Sequence, residues 1–144
     1  MPTSELPIQI HPLDLNKNVA IGVVFPLMEG GSFKQSFTIK DQIKTNIINV
    51  LLTEKGERIN NPDFGTGLKT ILFENNPNAN QIEELIGYQL SLYVPEVDVD
   101  SVEVKFEHDL HILFVKLIYT FVRSNEQDSI VINISQNIAS SRNA

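Results

Sequence analysis

Cysteine is absent from all 144 residues. That excludes a disulfide framework and any thiolate metal site, and it fits synthesis inside a cell. Grouped basic residues are lacking as well: 11 Lys and Arg stand against 18 Asp and Glu, for a formal net charge of -7. A nucleic-acid groove needs clustered cations to offset phosphate charge, so no nucleic-acid partner is expected. No basic segment followed by an apolar run opens the chain, so no signal peptide is expected either. The longest strongly apolar run, Leu110 to Val122, is interrupted by His111 and Lys116 and is too short to cross a bilayer. No internal repeat is visible. These absences predict a soluble protein without a membrane partner.

What is present is a 42% hydrophobic chain long enough for one core; at this length folding buries roughly 68–70% of the unfolded surface. Residues 1–18 carry three prolines and read as an extended N-terminal arm. Residues 19–134 read as a single domain, and 135–144 as a flexible polar tail. The β-branched run AIGVVFPL, the Glu29-Gly30-Gly31 turn and SFKQSFT suggest a first hairpin. From Ile39 the apolar period becomes helical through Ile43, Ile47, Val50 and Leu51. Thr38 is the expected N-cap and Asp41 the first-turn acid. Gly56 is the expected stop, with Lys55 in the last turn. A second helix starts at Asn78 or Asn80, the latter with Glu83 at capping-box spacing. It presents Ile82, Leu85, Ile86, Leu90 and Tyr93, and Pro95 ends it.

Beyond Pro95 the pattern is that of strands. Val102, Val104 and Phe106 alternate with acids and a lysine, the mark of a sheet with one wet face. LHILFVKLIYTFVR is apolar at nearly every position, as a central strand covered on both faces would be. SIVINI, after the polar RSNEQD turn, supplies a third strand. The fold class is therefore α+β: two main helices and a short one on a roughly three-stranded antiparallel sheet, with the hairpin and arm at the N-terminus.

The most specific chemistry lies between the helices, in LLTEKGERINNPDFGTGLKTILFENN. Arg58 offers a planar fork of donors for a carboxylate or for carbonyl groups. Asn60-Asn61-Pro62 turns the chain. Phe64 plugs the core while Gly65 and Gly67 permit close backbone approach. Leu68, Ile71 and Leu72 suggest a short amphipathic helix. A loop tied onto the core accounts for most of these residues.

The same stretch resembles the signature of the baseplate-wedge, sheath-initiator family of contractile tails, the family of the phage T4 gene product 25. The resemblance is carried by Leu52, Thr53, Gly56, Glu57 and Arg58, then Pro62, Phe64, Gly65 and Leu68, and finally Leu72, Phe73 and Glu74. It extends upstream to IGVVFPL and Gly30-Gly31-Ser32-Phe33, and spans about Asn18 to Ile134. Members often carry Glu-Pro-Arg after the second helix, where this chain has Val94-Pro95-Glu96. A contact built on that arginine would here need a basic counterpart on the partner.

The resemblance implies a structural, non-enzymatic role without metal or organic cofactor. The partners it implies are other wedge proteins, the first ring of sheath subunits and the tail tube, with six copies per particle. The location would be the tail baseplate of a virion assembled in the host cytoplasm; a secretion apparatus or extracellular injection particle is an equal setting. Its site residues would be Glu57, Arg58, Pro62, Phe64 and Gly65 at the corner, and Pro95 and Glu96 at a second contact. Ile130, Ile132 and Ile134 would lie on an edge strand that accepts sheath arms, with Glu126 and Asp128 as a possible charge guard.

Other chemistries compete less well. Asp63-Phe64-Gly65 spells a kinase tripeptide, but the catalytic-loop signature and the glycine-rich strand turn are missing. Gly65-Thr66-Gly67 is no phosphate-binding loop. His108 and His111 would point to opposite faces of a hairpin, and His11 is remote. A lysozyme-like glycoside hydrolase is the alternative from a different class. It needs two carboxylates across a cleft, one with a raised pKa. Glu54, Glu57, Asp63 and Glu74 are the clustered acids, and Arg58 beside Glu57 argues against a protonated acid there.

Overall fold

The computed structural model describes residues 11–23, 35–74 and 77–135. A short antiparallel pair, β1 (Gly22–Val23) and β2 (Gln35–Ser36), precedes helix α1 (Ile39–Leu52). The turn foreseen between these strands lies outside the described residues. Next come α2 (Leu68–Ile71), α3 (Ala79–Tyr93), and the strands β3 (Val97–Glu107), β4 (Ile112–Phe121) and β5 (Gln127–Ser135). The last three form an antiparallel sheet in the order β3-β4-β5. This is the α+β architecture expected.

Local sequence explains each element. The Thr38 hydroxyl accepts from the Asp41 N–H, and Asp14 accepts from the Ile39 N–H at 2.8 Å, so two side chains cap the α1 N-terminus. Asp14 reaches it because Pro12–Leu15 forms a 3-10 turn; this part of the expected arm is not extended. Helix α1 stops at Leu52, ahead of the expected Gly56. Thr53 takes an extended conformation and turns its hydroxyl back onto the Asn49 carbonyl, closing the last turn locally. Lys55 consequently lies beyond the helix. Asn78, not Asn80, caps α3. Glu83 therefore forms no capping box; it reaches across to the Val104 N–H of β3.

The core unites Ile43, Ile47, Val50 and Leu51 of α1 with Ile82, Ile86 and Leu90 of α3, over Leu113, Val115, Leu117 and Tyr119 of β4. Burial alternates strictly along β4, which corrects the expectation of a strand covered on both faces. Its second face leaves Ile112, Phe114 and Ile118 half-exposed and Lys116 exposed. Helices shelter one face; apolar content alone carried no information about the other. The register shifts between Val99 and Ser101, and the Asp100 carboxylate there binds Thr120 at 2.7 Å and Gln127 at 3.0 Å.

Candidate protein-interaction site

The corner between α1 and α2 is tied by several hydrogen bonds. The Gly56 N–H donates to the Pro62 carbonyl at 2.8 Å, closing a small loop. Phe64 is buried and meets Tyr93 edge-on, with ring centroids 4.7 Å apart. Tyr93 also donates its hydroxyl to Asn61. Gln89 of α3 accepts from the buried Gly65 N–H at 3.1 Å and donates to the Asp63 carbonyl at 3.0 Å. Gly65 has φ +104, and a Cβ there would run into the Thr53 carbonyl.

Glu54 and Glu57 are engaged in the same framework. Glu54 accepts from the Lys69 N–H at 2.9 Å and from the Thr70 hydroxyl at 2.7 Å. Glu57 accepts from the Glu54 N–H at 3.0 Å. Arg58 lies over the Phe64 ring, 3.7 Å from its centroid, as a cation–π lid, with no ion pair of its own among the described residues. The loop thus holds Glu57, Arg58 and Pro62 exposed on a rigid base, with Ile59 at its tip 96% exposed.

Pro95 and Glu96 stand apart from this corner. Together with Arg123 and Phe121 they line a cavity of about 540 Å³ whose opposite wall includes His11, Asp14 and Ile39. The Glu96 carbonyl accepts from the Val122 N–H at 3.0 Å, which fixes the end of β4 beside Pro95. Arg123, which follows β4, thus lines the same cavity as Pro95 and Glu96 from another part of the chain.

The edge strand is the third place. Ile134 is buried and Ile130 and Ile132 half-buried, all facing the core, so their side chains are not offered to a partner. Gln127, Ser129, Val131 and Asn133 are the exposed residues, with Val131 63% exposed. The Ser129 N–H donates to the Asp128 carboxylate at 2.8 Å. With strand alternation, this places the amides of Ser129, Val131 and Asn133 on the side away from β4. Ion pairs Lys40–Glu126 and Lys44–Asp128 fasten the start of β5 to α1. The Lys44 hydrogen bond chiefly holds the Asp128 carboxyl below the usual carboxylate range; slight burial opposes it, while the Ser129 N–H and both lysine charges assist. Across the sheet, burial and then the Asp128 charge push the Tyr119 phenol upward.

The family model described as baseplate wedge protein gp25 matches residues 38–126. The chain belongs to the baseplate wedge family. As a wedge-family protein it is a structural baseplate component. Among solved structures it is similar to a candidate tail lysozyme from Geobacter sulfurreducens, at 25% identity and a TM-score of 0.59, over 68% of this chain and 91% of that one. It also shares its fold with a chain of the type VI secretion system baseplate complex, at 18% identity and a TM-score of 0.56, over 65% of this chain and 90% of that one. No curated protein is similar enough in sequence to count as a match.

Sequence reasoning missed Gln89, Arg123 and the lysine pairs onto β5. Gln89 had a signal: a polar residue seven positions after Ile82, on the buried stripe of α3. Arg123 and the lysine pairs had none, because their partners lie far away along the chain.

Proposed function

We propose that this wedge-family protein starts the sheath of a contractile particle by adding strands from the first ring of sheath subunits to the free margin of β5. The observation that carries the reading is the pair of outward amides at Val131 and Asn133, beyond the Ser129 amide that Asp128 holds, with no partner strand among the described residues. The other margin is less suited: Glu83 occupies the Val104 N–H of β3, and the irregularity near Asp100 distorts its pairing line. Side chains of Ile130, Ile132 and Ile134 support the strand from beneath, while its backbone makes the contact.

On this reading Glu57, Arg58, Pro62 and Ile59 dock a neighbouring wedge protein, with Phe64 and Gly65 holding their shape. Pro95 and Glu96, with Arg123, form a second contact. Six copies surround the tail tube, and assembly takes place in the host cytoplasm. The role is structural: Glu54 and Glu57 are engaged as backbone acceptors, which opposes a paired acid and nucleophile.

The test is sheath growth from reconstituted wedges. Val131→Pro removes one outward N–H without touching the ladder to β4, so the wedge forms and sheath nucleation fails. Normal nucleation by this variant refutes the reading. The similarity to a candidate tail lysozyme favours a second reading, glycan cleavage. A peptidoglycan zymogram tests it: a clearing band lost in Glu57→Gln would establish the enzyme.

A further inference from the structure

The margin of β5 is complementary to itself. Two observations agree on which of its amides point outward. The Phe121 N–H donates to the Glu126 carbonyl at 2.9 Å, and this pair continues the β4–β5 register. Even-numbered residues of β5 therefore bond to β4. The Ser129 N–H, donated to the Asp128 carboxylate, accordingly lies on the other side. Val131 and Asn133 follow it by alternation, with N–H and C=O both directed outward.

The stretch that carries these groups, Ser129-Ile130-Val131-Ile132-Asn133-Ile134-Ser135, has no charge and no proline. Lysine, proline or an inward charge ordinarily blunts such an edge. Glu126 and Asp128 come before it and are tied to Lys40 and Lys44 of α1.

We propose that two copies of this chain pair β5 against β5, antiparallel about a two-fold axis at Ile132, and so cover each other's free margin. A second copy fits because the free groups match themselves in one register. About Ile132, Val131 of each copy faces Asn133 of the other, and each such pair exchanges both backbone bonds. A register centred on Val131 would instead set Asn133 against Ser129, whose N–H Asp128 already holds. Charge agrees with this choice. Each copy's Asp128 falls beyond the other's Ser135, so like charges never stand opposite across the junction. The half-buried Ile132 side chains meet on the axis.

Growth stops at two copies. An isologous contact consumes the same patch on both. The β3 margin is blunted by Glu83 on the Val104 N–H and by the register shift near Asp100. In the dimer no β5 margin is open, so the copies separate before that strand takes any other partner. The pairing belongs to the isolated chain and does not rest on the sheath reading.

Sedimentation of the full-length chain over a range of concentrations tests it. The apparent mass should double as concentration rises. Val131→Pro removes an outward donor from both copies and should weaken the dimer about tenfold or more. A second measurement reads the register, because the chain has no cysteine of its own. Equimolar Val131→Cys and Asn133→Cys chains are mixed and mildly oxidised. Facing residues lie about 5.5 Å apart at Cα, within disulfide reach, whereas like residues are diagonal neighbours at roughly 7–8 Å. The mixed disulfide should form about tenfold faster than either like-with-like product. A wild-type chain that stays monomeric, a Val131→Pro dimer of unchanged affinity, or mixed and like disulfides in statistical proportion would each overturn the proposal. Sheath nucleation is read separately on reconstituted wedges, so a monomeric chain that still nucleates removes the dimer and leaves the sheath reading standing.

Discussion

The corner between α1 and α2 and the margin of β5 are opposites. The corner holds the most distinctive residues of the chain, yet its polar groups are largely turned inward: Gln89 onto Gly65 and Asp63, Glu54 onto α2, Arg58 onto Phe64. The margin is built from ordinary strand residues and leaves backbone donors facing outward. Distinctive residues here mark difficult local geometry. Capacity for a partner resides in plain backbone, which every residue carries and no motif announces.

The comparison can be broken most severely at Gly65. With φ +104 and the Thr53 carbonyl against it, Gly65→Ala should destabilise by about 3 kcal/mol or more in a denaturant titration, from backbone strain plus a clash. An alanine tolerated within half a unit would mean the corner is looser than its geometry. Next is Gln89→Leu, which keeps bulk on α3 but strands the buried Gly65 N–H. A loss of about 1–3 kcal/mol is expected in thermal or denaturant unfolding. Arg58→Ala should follow at about 1 kcal/mol, because only the lid on Phe64 is lost. The isolated fold survives while wedge assembly fails, and intact assembly in a pull-down of reconstituted components would remove Arg58 from the docking loop.

The margin should respond least. Lys44→Ala is expected to cost under about 1 kcal/mol, since the pair is partly exposed and screened by salt. Its sign with pH is specific. The Asp128 carboxyl is held low in the fold, so its contribution is complete above the ordinary carboxylate range and disappears as pH falls through the lowered value. Unfolding curves of the wild type and Lys44→Ala should therefore converge in acid. A gap that persists or widens there would show that Lys44 acts by packing.

Much of the fold was legible because its signals are local. Thr38 as cap, the helical stripes and the strand alternation each depend on neighbours within a few residues. The α1 terminus was misplaced because Thr53 and Gly56 both make good stops, and the choice was settled by the Asn49 carbonyl one turn earlier. Ile130, Ile132 and Ile134 were expected on an edge strand and lie on β5, and which face their side chains take, the core, came only with the packing. The same alternation fits either face until a helix is known to lie over one of them.

The chain by itself determined which segments become helix or strand, where most of them begin, and which family it belongs to, because capping, periodicity and motif are short-range properties of order along the chain. Tertiary structure alone decided that Gln89 braces the corner, that Arg123 and Glu96 line one cavity, and that β5 lies at an edge with Lys44 against Asp128. Those facts join residues up to 84 positions apart, as Lys44 and Asp128 are, and such a meeting depends on how packed layers close over the core.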